Sequence, residues 1–107
     1  MSKATGDVDQ IFKVLADGTR RGVLERLVVG PATVTELAAP FSMSLPSFLQ
    51  HLSILEDSGL VRTFKQGRMR VVELVPHALF PAESWLQQQR CLWDKRLDQL
   101  DEYLKTM

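Results

Sequence analysis

Cysteine occurs once in this chain, at Cys91, which excludes an intramolecular disulfide and any zinc site built from several thiolates. Such sparing use fits a reducing compartment. An excess of one charge is also missing. Thirteen Lys and Arg balance thirteen Asp and Glu over 107 residues, so affinity for a polyanion has to come from local asymmetry. No apolar run approaches the roughly 20 residues that span a bilayer, and the start Met-Ser-Lys-Ala-Thr-Gly-Asp has no apolar leader core. The expectation is a soluble, cytoplasmic protein with no membrane partner. A Gly-x-Ser-x-Gly elbow, a phosphate loop and paired carboxylates are absent as well, which argues against an enzyme. Linkers, repeats and low-complexity stretches are lacking, apart from a polar stretch at 1–6 expected to fray. The length suits one domain, 1–107, large enough to bury a core without staples.

What is present concentrates between residues 33 and 75. Thr33 and Glu36 have the spacing of a capping box, and a short helix carrying Val34, Leu37 and Ala38 inward follows. Pro40 ends it. After the turn Phe41-Ser42-Met43, Ser44 is placed to cap a second helix, whose first turn tolerates Pro46 because the missing N–H is no loss there. Phe48, Leu49, Leu52 and Leu55 recur at helical spacing, leaving Ser47, Gln50, His51 and Ser53 for the other side. Gly59 suits the left-handed position past the helix end. Two strand-forming runs, Leu60 to Phe64 and Met69 to Leu74, then flank the tip Lys65-Gln66-Gly67-Arg68. Arg62, Lys65, Arg68 and Arg70 gather on this hairpin with no acid among them. The order is a helix-turn-helix (33–58) followed by a two-stranded wing (60–75), a mainly α fold with a small β-hairpin.

Two amphipathic helices precede the motif, marked by Val8, Ile11, Phe12 and Leu15 and by Val23, Leu24, Leu27 and Val28, the second ending at Gly30-Pro31. After the connector at 76–81, a long helix over 82–105 carries Trp93, Leu97, Leu100, Leu104 and Met107 at steps of four and three, the spacing of a packing seam. Such a seam covers either the intrachain core or a partner. Trp85, Trp93 and Tyr103 favour a partner, since Trp and Tyr are enriched at interface cores.

The runs Val14 to Leu27, Thr33 to Ala38, Ser42 to Val61 and Lys65 to Leu74 resemble, in order and spacing, the ArsR/SmtB family of bacterial winged-helix repressors. The resemblance spans about residues 7 to 105. It implies N- and C-terminal dimerisation helices, with Ile11, Trp85, Leu86, Trp93, Leu97, Leu100 and Leu104 at the interface. It further implies a homodimer that binds a palindromic operator in double-stranded DNA. Carried over position by position, the DNA contacts fall on Ser44, Leu45, Ser47, Phe48, Gln50 and His51, with Lys65, Arg68 and Arg70 in the wing.

Each position also has a plainer role. Ser44 is either a phosphate ligand or only a cap. Gln50 has the bidentate geometry for the N6/N7 edge of adenine. His51 either donates to DNA or packs against backbone. Leu45 and Phe48 either meet thymine methyls or are buried. Arg20 and Arg21 are expected to be structural, one of them tied to Asp17. Against the family pattern the reading helix has less charge and more bulk, at Leu45, Ser47, Phe48, Leu49 and Gln50, which implies weaker nonspecific binding and a different base preference.

Metal sensing in the family uses paired cysteines that would fall on Thr33 to Leu37, or Asp and His on the last helix. The first stretch has no thiol and the last helix has no histidine, so no metal and no cofactor are expected. Two alternatives to a plain DNA-binding repressor stay open. One is a redox or small-molecule sensor acting through the Cys91 helix, and the other is a winged helix that docks on a protein.

Overall fold

Apolar residues at Ile11 and Val14, and again at Val23 and Leu27, form the inner stripes of α1 (Lys3–Leu15) and α2 (Gly18–Leu27). The computed structural model describes residues 3–106, with side chains from Val8 onward. Helix α1 therefore starts inside the stretch expected as a frayed tail, whose first two residues lie outside the described ones. Asp17 separates the two helices and caps the second, its carboxylate accepting from the Thr19 N–H at 2.8 Å and the Arg20 N–H at 3.2 Å.

The capping box forms as its spacing demands. The Glu36 N–H donates to Thr33 Oγ1 at 3.1 Å and the Thr33 N–H donates to Glu36 Oε1 at 2.8 Å, which starts α3 (Val34–Ala38). Helix α4 (Leu45–Asp57) follows, with Ser44 as its cap and Pro46 in its first turn. The Leu60 backbone leads into β2 (Val61–Gln66), which pairs with β3 (Met69–Leu74) in the register Val61↔Leu74 to Gln66↔Met69. Gly67, at the first loop position, takes φ 67°, where type II′ hairpins place glycine.

The wing has a third strand that sequence reading did not anticipate. Ala32–Thr33, β1, pairs antiparallel with β3, giving the order β1-β3-β2 instead of a two-stranded ribbon. Two residues carry no readable periodicity. Their effect is to tie the start of α3 to the wing, so that the helix-turn-helix and the hairpin share backbone hydrogen bonds.

Phe48, Leu52 and Leu55 of α4 enter a core with Leu37, Val23, Leu27, Val61 and Val72. Phe41 packs on Phe48 with ring centroids 5.6 Å apart. This core fixes which face of α4 is left for solvent. Leu49, read from the sequence with the inward set, stays exposed, as does Ile54.

Helix α5 (Phe80–Lys105) starts slightly earlier than expected. Only its beginning rests on the body: Ala82 is buried and Trp85 meets Phe12 edge-on, with ring centroids 5.8 Å apart. The rest projects beyond α1. The molecule measures 69 × 32 × 22 Å with a radius of gyration of 18.8 Å, against about 13 Å for a compact domain of 100 residues.

Candidate nucleic-acid interface

With Phe48, Leu52 and Leu55 turned inward, the opposite face of α4 presents Leu45, Ser47 and Gln50 to solvent. Ser44 sits at its N-terminus, where the Ser47 N–H donates to Ser44 Oγ at 3.3 Å and the Ser44 hydroxyl donates to Ser47 Oγ at 3.1 Å. Capping and exposure coexist there. Pro46 has no N–H and the Ser47 and Phe48 N–H groups are taken by Ser44, so the two exposed hydroxyls, Ser44 and Ser47, are what the helix start offers a phosphate oxygen. Phe48 is corrected: at 1% exposure it is core, and a base edge has no access to it. Leu45, 54% exposed, and Leu49, 43% exposed, are the apolar side chains α4 leaves to solvent beside these polar ones.

His51 lies at the edge of the same surface, half-buried against α2. The Arg20 guanidinium approaches His51 Nδ1 at 3.2 Å, and Asp17 Oδ1 lies 3.9 Å from the same nitrogen. A guanidinium has only donors, so whenever the ring is neutral Nδ1 is the acceptor and Nε2 carries the proton. Arg20 also donates through Nε to the Val14 carbonyl at 2.9 Å and through Nη2 to the Lys13 carbonyl at 3.3 Å. Arg21 donates to the Leu15 carbonyl at 2.8 Å. Both arginines thus close the C-terminal end of α1, whose last carbonyls lack helical partners. The expected side-chain tie to Asp17 is replaced by the Arg20 backbone N–H. That N–H is the main reason the Asp17 carboxyl is held below its usual range, with the nearby His51 and the Thr19 N–H adding to it.

The wing cations divide into two groups. Arg62 pairs with Glu73 across the β2–β3 register. Arg70 donates to Thr63 Oγ1 at 3.2 Å, and that hydroxyl donates to Glu56 Oε2 of α4 at 2.9 Å. The acid-free cluster read from the sequence therefore shrinks to the tip, where Lys65 and Arg68 form no salt bridge among the described residues. Sequence reading missed Glu73 and Glu56. The first was legible, since a two-residue loop at Gly67-Arg68 pairs position 62 with 73; the second needed the packing of α4 against β2.

On α5, Trp85, Leu86, Trp93, Leu97, Leu100 and Leu104 are all exposed in the single chain, Leu97 at 61% and Trp93 at 67%. The seam is not intrachain core. Met107 lies outside the described residues. Ile11 is corrected: at 3% exposure it faces α1's own core and has no surface to offer a partner. Phe12 beside Trp85 is the exposed aromatic of α1. Cys91 is exposed on α5, with the Gln87 amide 3.9 Å from its sulfur. Among the described residues no group of three or more His, Cys, Asp or Glu is placed to hold a metal ion, and no helix is long and apolar enough to cross a membrane.

Residues 15–63 match the model of a helix-turn-helix domain. The chain is 44% identical over 71 residues to an HTH-type transcriptional regulator of Mycobacterium tuberculosis, the match covering 66% of each protein. It is 39% identical over 69 residues to the arsenical resistance operon repressor of Escherichia coli, covering 64% of this chain and 59% of that one. The chain thus spans under two thirds of the length of these curated relatives. The crystal structure of an ArsR family transcriptional regulator superimposes with a TM-score of 0.77 at 52% identity, covering 82% of this chain and 97% of that one. All three are regulators and none is an enzyme. With that near-complete solved relative and a three-stranded winged helix-turn-helix built on α3 and α4, the chain belongs to the ArsR family of transcriptional regulators.

Proposed function

We propose that this protein is a homodimeric, sequence-specific repressor that binds a palindromic operator in double-stranded DNA in the cytoplasm. One observation carries the reading: α4 exposes Leu45, Ser47 and Gln50, and the wing tied to it through Thr63 and Glu56 ends in Lys65 and Arg68, which have no acidic partner among the described residues. Helix α4 enters the major groove. Gln50 reads a base edge, Leu45 meets a thymine methyl, and Ser44 and Ser47 hold a phosphate at the helix N-terminus. Lys65, Arg68 and Arg70 contact backbone or minor groove, and His51 offers its Nε2 proton from the margin.

Dimerisation rests on the bare stripe of α5, which costs free energy in water and is relieved when a second copy covers it. Two reading helices then reach half-sites about 34 Å apart on one face of the duplex. The exposed Leu45 and Leu49 favour one other reading, a winged helix that docks on a protein through the same face. Fluorescence anisotropy on duplexes enriched from a random pool separates the two. For the repressor, specific fragments emerge and affinity falls steeply with salt as counterions are released. Absence of any enriched fragment, or binding indifferent to salt, would overturn it.

A further inference from the structure

A cavity of about 530 Å³ opens where α2, the base of the wing and the connector to α5 meet. Its walls are mostly apolar, with Leu24, Leu60, Leu74 and Leu79 among them. That volume and lining suit a small organic molecule better than water or an ion. Its rim is polar and unbalanced. The charged side chains that line it are Glu25, Glu83 and Arg21, two acids to one guanidinium, and Arg21 is already donating to the Leu15 carbonyl at 2.8 Å. The connector is held in an uncommon conformation at this point: His77, another lining residue, has φ 64° and is the one non-glycine with positive φ among the described residues. Left-handed non-glycine backbone of this kind gathers at ligand clamps and switch segments.

We propose that this cavity is an effector site for a hydrophobic cation, a small molecule whose apolar body packs among the leucines and whose protonated amine is met by Glu25 and Glu83. The regulatory half of the proposal rests on the repressor reading above. Leu79 directly precedes α5, and Leu60 and Leu74 border the two wing strands. An occupant therefore bears on the joint between the DNA-reading body and the long helix. Its binding alters the angle at which α5 leaves the body, and with it the spacing of the two reading helices.

Calorimetry on the intact protein without DNA tests the site, with 2-(1-naphthyl)ethylamine and 1-naphthylacetate as probes of equal bulk and opposite charge. The amine is expected to bind at least about tenfold more tightly than the acid, a difference of about 1.4 kcal/mol. Glu25→Gln with Glu83→Gln, both exposed positions, should erase the preference. Ala78→Leu, which adds carbon atoms inside the cavity, should weaken both probes while the unfolding midpoint stays near wild type. Amine at saturation should shift operator affinity severalfold in the wild type and not in Ala78→Leu. Equal binding of acid and amine, or no binding of either at millimolar concentration, would overturn the site. So would an amine affinity that appears only when the dimer is split, since a second copy would then be what fills the cavity. Amine binding that leaves operator affinity unchanged would overturn the effector role. Loss of DNA binding without any ligand would count against the repressor reading alone.

Discussion

Gln50 and Phe48 lie two positions apart on one helix and answer to different forces. Gln50 is exposed, so Gln50→Ala should leave stability unchanged and cost roughly 1–3 kcal/mol on the preferred duplex, with little loss on random DNA. Paired anisotropy titrations at one salt concentration check this, and equal losses on both would place Gln50 on the backbone. Phe48, closed in by Leu37 and Phe41 among others, is core. Phe48→Ala should cost about 3–5 kcal/mol of folding stability in denaturant unfolding. Its inward direction was legible, because positions 48, 52 and 55 share one helical stripe. Carrying the family's contact positions onto it obscured that pattern. Asp17 adds a pH signature. Its carboxyl is held low first by the Arg20 N–H, so its contribution to stability is complete above the unfolded-state pKa and is lost as pH falls through the lower folded value. Asp17→Asn should therefore destabilise at neutral pH and converge with wild type in acid, as thermal unfolding across that range would record. The contact of Arg20 with His51 spans 31 positions, and only tertiary packing reveals it.

The wing is one unit because strand register makes it so. Arg62 opposite Glu73 braces the hairpin and Arg70 leans on Thr63, which is tied to Glu56 of α4, while Lys65 and Arg68 at the tip form no salt bridge among the described residues. Lys65→Glu with Arg68→Glu should weaken binding to all duplexes by a similar factor and lower the salt slope, since phosphate contacts position without specifying. Unchanged affinity in the folded variant would remove the wing tip from the mechanism. Helix and hairpin boundaries were readable from caps and turn residues: Thr33 with Glu36, Ser44, Gly59 and Gly67 each mark an end the structure keeps. Strand β1 was not readable, because two residues acquire strand identity only from pairing with β3. The connector at 76–81 looked like a plain link, and its part in a cavity depends on α2 and the strand ends closing around it.

At the scale of the molecule, the dominant feature is an α5 that outreaches the body and bares leucines and tryptophans along its length. Sequence spacing identified the stripe, while its exposure in a single chain required knowing how little of α5 rests on α1. Because Leu97 and Leu100 lie outside the protomer core, Leu97→Glu with Leu100→Glu should leave the unfolding transition of the single chain intact. Two unpartnered carboxylates in an apolar seam are costly to bury, so the variant should be monomeric and bind operator far more weakly. Sedimentation and anisotropy would record both effects. The central claim, a two-fold reader of DNA, is tested most directly by light scattering on the wild-type protein saturating a duplex selected from random sequence. The mass expected is that of two chains on one duplex with two inverted half-sites. One chain per duplex at saturation, or a selected sequence with no internal symmetry, would contradict it.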